Sequence, residues 1–107
     1  MKTQLNLLVY EDCDSWVAQC LEYDIAAQAT TLPDLEYEIQ RVLIGRIYTA
    51  KQLGIEPFEG LPPAPDAYRR IFEDHSKIRR LELKPTKNLP VEFSPAFALP
   101  TEAFLYA

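Results

Sequence analysis

Apolar positions along the chain change their rhythm several times, and each rhythm predicts an element. Leu5–Tyr10 (LNLLVY) is apolar on both alternating faces and rich in β-formers, which predicts a strand in the middle of a sheet. Glu11–Asp14 (EDCD) is a polar turn. In SWVAQCLEY, Trp16, Ala18 and Cys20 then alternate with Val17, Gln19 and Leu21, giving a second strand antiparallel to the first across the short link. Glu22–Asp24 makes a corner, and Ile25–Ala29 (IAAQA) is a short third strand of small residues.

The period then lengthens to that of a helix. Thr31 is a suitable N-cap, Pro33 is tolerated in the first turn and Asp34 suits the positive end of the helix dipole. Leu35, Ile39, Val42, Leu43, Ile47, Ala50 and Leu53 recur at helical spacing as the face toward the core, with Gly54 as the stop. Arg46 interrupts that stripe and is expected to snorkel. Tyr37, Ile44 and Tyr48 form a second, narrower strip on the opposite face, to be covered by the rest of the chain or by another subunit.

Residues 54–65 (GIEPFEGLPPAP) form a Pro/Gly loop. Pro65 and Asp66 open a second helix, with Tyr68, Ile71, Phe72 and His75 on one side. A strand is expected from Ile78 onward. Prolines at 85, 90, 95 and 100 then alternate with Val91, Phe93, Phe97 and Leu99, so the tail is expected to be extended and to lie on an edge or a surface. The expected class is α+β: a three-to-four-stranded antiparallel sheet covered on one face by a long helix, in the order β-β-β-α-α-β. A domain over residues 1–84 carries an extended segment, 85–107, that packs on it or on a neighbouring subunit. The candidate oligomer or partner surface is Tyr37, Ile44, Tyr48, Phe93 and Phe97.

Charge and composition narrow the chemistry. A net charge of −5 argues against a phosphate-neutralising nucleic-acid surface, and Lys77, Arg79, Arg80 and Lys84 form the only basic run. No apolar run suits a signal peptide or a membrane span, so a cytoplasmic protein is expected. Cys13 and Cys20, with the single His75, do not supply a zinc ligand set, and no metal or cofactor is expected. Cys20 reads as a packed thiol beside Trp16 rather than a nucleophile paired with His75. Glu11, Asp12, Asp14, Glu22 and Asp24 gather at the strand turns; a metal-dependent nuclease could use them, but solvated charge is the simpler reading. Three glycines leave no phosphate-binding loop, and the expected protein is not an enzyme.

One stretch adds a resemblance. VAQCLEYDIAAQATTLPDL, residues 17–35, resembles the HicB-like antitoxin domain: Cys20 and Glu22 stand at the corner, Gln28 before the turn, Thr31 and Leu32 at the helix start, and Asp34 in the acidic position. The likeness extends over about residues 5–53. It departs at Leu21, where the family has Pro, at Ala29, where it has Gly, and at Pro33, where it has an acidic residue. The prolines of residues 76–107 do not suit the DNA-binding module that many relatives carry. The resemblance implies a module that covers the active site of a small basic RNA-cleaving toxin of the HicA type. Two rival expectations are a homodimer or tetramer without a toxin, and a degenerate nuclease.

Overall fold

Ten residues, Thr3–Asp12, form β1 around an apolar middle, Leu5–Tyr10, and the sheet is built out from this strand on both sides. The computed structural model describes residues 3–74, 76–80 and 91–98. After β1 come β2 (Ser15–Cys20), β3 (Ala26–Ala29), α1 (Leu32–Leu53), α2 (Asp66–Glu73), β4 (Ile78–Arg80) and β5 (Val91–Ala98). The architecture is α+β, a mixed sheet in the order β3-β2-β1-β5-β4 with two helices. The β1–β2 and β2–β3 pairs are antiparallel, as the alternation implied.

The sheet differs from the expectation of three or four antiparallel strands. The described residues form five strands, and β5 runs parallel to β1 in a register that pairs Leu5 with Phe93 and Leu8 with Ala96. The described part of the Pro-spaced tail thus lies inside the sheet, between β1 and β4, rather than along an edge. Pro95 has no N–H to give to a ladder. It lies opposite Leu7 of β1 in the parallel register. The expected boundary at residues 84 and 85 and the strand expected beyond Arg80 lie outside the described residues, as do residues 99–107.

A second difference concerns the faces. Period-two alternation sends Leu5, Leu7 and Val9 of β1 into a core with Ala18, Cys20, Ala27, Leu35, Ile39 and Leu43, under α1. It sends Leu8 to the other face, into a separate core with Leu21, Ile71, Phe72, Ile78 and Ala96. Rather than one covered face, the sheet has two. The short helix α2 covers the second, and Tyr68 meets Tyr10 there with ring centroids 6.0 Å apart. β1 can be apolar on both sides because neither side meets water.

The long helix starts and stops where its sequence says. Thr31 Oγ1 accepts the Asp34 N–H at 3.2 Å, and Gly54, at φ 69°, takes the left-handed C-terminal position that a residue without Cβ adopts readily. Leu35, Ile39, Leu43 and Ala50 are buried, while Val42 and Ile47 pack partly against the first core. Leu53, expected in the stripe, is 67% exposed, because the last turn runs past the contact made at Ala50. Gln40, which no apolar pattern could flag, is buried and donates to the Glu36 carbonyl at 3.2 Å.

Candidate functional site at the β2–β3 corner

The stretch that carries the resemblance folds into a corner, and its polar atoms are taken up in holding that corner. Cys20 ends β2 and Glu22 follows in the bend. Both Glu22 carboxylate oxygens accept from Asn6 on β1: Oε1 from the backbone N–H at 2.7 Å and Oε2 from the side-chain amide at 2.6 Å. The Leu21 N–H donates to the Asn6 carbonyl at 3.0 Å, which continues the β1–β2 ladder by one bond. Gln19, buried on the second face, donates to Asp24 Oδ1 at 2.9 Å and to the Cys20 carbonyl at 3.0 Å. No buried side-chain N or O among the described residues lacks a hydrogen-bond partner.

The Pro-rich loop is fastened to the same corner. The Asp24 N–H donates to the Pro62 carbonyl at 2.7 Å, and the Ala64 N–H donates to the Leu21 carbonyl at 3.1 Å. Phe58 stacks on Tyr23, with centroids 4.5 Å apart and planes at 20°. Phe58 and Leu61 belong to the first core and Ala64 packs on the second. Here the chain crosses from the α1 side of the sheet to the α2 side. The corner is a joint between two cores, which gives Asn6 its place in the otherwise apolar stretch Leu5–Tyr10.

Cys20 is fully buried on the α1 side with Ala18, and its Sγ lies 3.9 Å from Glu22 Oε1. Burial pushes its thiol pKa up; the Glu22 carboxylate adds to this, against a partial opposing pull from hydrogen bonds to the backbone of Tyr23, Glu22 and Leu21. A thiol held protonated is a poor nucleophile. Its proposed alternative partner, His75, lies outside the described residues.

The turn carboxylates do not form one group. Glu11, Asp12 and Asp14 are exposed at the β1–β2 hairpin, while Glu22 and Asp24 lie past the other end of β2. A six-residue strand separates the two sets by roughly 17 Å. Among the described residues no three His, Cys, Asp or Glu side chains are grouped so as to hold a metal ion. On the α2 side, a cavity of about 260 Å³ is lined by Ala67, Arg70, Ile71 and Lys77, apart from the corner residues. No helix among the described residues is long and apolar enough to cross a membrane.

The surface residues singled out from the sequence separate into two groups. Tyr37 and Tyr48 are each 65% exposed on the outside of α1. Ile44 is half-buried and leans on the first core, as does Phe93 of β5. The side chain of Phe97 lies outside the described residues. Compared with protein-family models, with curated proteins and with solved structures, the chain matches none of them.

Proposed function

We propose that this chain is a protein-binding module without catalytic activity, of the HicB-like kind, which neutralises a small basic RNA-cleaving toxin by covering its active site. The observation that carries this reading is the use of the corner's polar atoms. Glu22 bonds to Asn6, and Gln19 to Asp24 and to backbone, so the corner is built as a scaffold. Cys20 ends β2, Glu22 follows in the corner, Gln28 lies in β3 and Thr31 caps α1. The division of the carboxylates between opposite ends of β2 weighs against the nuclease reading.

The test is capture from the native host with the full chain as bait. The reading expects a small basic protein that cleaves RNA alone and stops doing so when the chain is added back. RNA cleavage by the chain itself with Mg²⁺ or Mn²⁺, lost in Asp24→Asn, would overturn it.

A further inference from the structure

The outer face of α1 carries a symmetry of its own. The helix runs from Leu32 to Leu53, so its midpoint falls between Val42 and Leu43. Tyr37 and Tyr48 lie five residues inside either end and are centred on the same point. They are eleven residues apart, three turns of an α-helix, and so lie on one line with Arg41 and Ile44 between them. Both rings are 65% exposed, and the Arg41 guanidinium between them is held by Glu38 at 3.0 Å.

Charge along the helix is segregated in the same way. Beyond the two tyrosines on this side, Asp34 stands near the start of the helix and Lys51 near its end, centred on the same midpoint, whereas Arg46 falls on the core-facing side. A uniformly acidic or basic partner would be attracted by one end and repelled by the other. A second α1 laid antiparallel sets each acidic end against a basic one, and it opposes the two helix dipoles favourably.

We propose that this face is a two-fold interface in which α1 packs antiparallel on α1 of a second copy of the chain. The axis crosses the helix near Val42 and Leu43, and Tyr37 of each copy lies against Tyr48 of the other. Such an isologous contact is the commonest route to a dimer, and paired tyrosines offer large, rigid contact area. The inference does not depend on a toxin partner, and a dimer can form whether or not one is captured.

Two measurements on the full chain decide it. Sedimentation should find a dimer at high-micromolar concentration, and Tyr37→Glu with Tyr48→Glu should raise its dissociation constant by more than about tenfold. Both side chains are exposed, and an unchanged circular dichroism spectrum confirms that the variant still folds. Spin labels at Gly45→Cys and, separately, Gln52→Cys, in a Cys13→Ser background, report direction. Antiparallel packing offsets the paired labels by about 8 Å along the helix at position 45 and about 28 Å at position 52. A monomeric wild type, a dimer indifferent to the double substitution, or equal distances at the two positions would each overturn the proposal.

Discussion

The two cysteines show how little residue type alone decides. Cys13 is exposed in the hairpin turn at φ 57°, a left-handed conformation that costs a residue with a Cβ about 1–2 kcal/mol. Cys13→Gly should therefore stabilise the protein by about 0.5–1 kcal/mol after the extra unfolded-state entropy of glycine, read by urea denaturation. Thiol labelling of the folded chain should modify Cys13 well before the buried Cys20; equal rates would contradict the burial of Cys20. Cys20 also makes stability depend on pH. Its folded pKa lies above the ordinary 9.0, so the unfolded chain loses the proton first. Stability is full below pH 9.0 and falls as pH rises from there through the folded pKa. Against Cys20→Ala, whose curve lacks this contribution, the wild type should lose stability more steeply over that range. The sequence placed Cys20 beside Ala18 through simple alternation, but it could not show Glu22 next to the thiol. That contact depends on the corner's tertiary turn back toward Asn6.

At the scale of the element, α1 was the most legible part of the chain because its signals are local. A cap, an N-terminal proline, a stripe and a terminal glycine all act within a few residues of one another. Leu43→Ala, at a fully buried position, should cost about 2–5 kcal/mol. Gly45 lies in the exposed helix interior, and a Cβ there would meet nothing within 4 Å. Gly45→Ala should therefore stabilise the protein by roughly 0.5–1 kcal/mol, seen as a raised thermal midpoint. A fall in the midpoint would mean that something already lies against that position. β5 was the least legible element. Its prolines argue correctly against a helix, but the neighbours of a strand are set by residues far away in sequence. Pro95 stands inside the sheet, opposite Leu7 of β1, although a residue without an N–H is disfavoured in such a place. The register with β1 that places Phe93 beside Leu5 and Ala96 beside Leu8 cannot be read from spacing.

Across the whole molecule, one apolar pattern had a consequence larger than its length. LNLLVY is apolar on both faces, so two covering layers are required, and Tyr68, Ile71 and Phe72 already formed a stripe able to supply the second. Reading α1 as the sole cover leaves Leu8 and Leu21 without neighbours; the structure gives them α2. The two layers meet at the β2–β3 corner, where Asn6, Leu21, Glu22, Asp24, Pro62 and Ala64 bond β1, the corner and the loop together. The central claim is that this polar group is a structural joint. A double-mutant cycle on its strongest pair measures that directly. Urea denaturation of Asn6→Ala, Glu22→Gln and the double variant should give single losses whose sum exceeds the double loss by about 1–3 kcal/mol, because each residue's contribution depends on the other. Losses that simply add would contradict the account and return Glu22 to the set of residues available for chemistry.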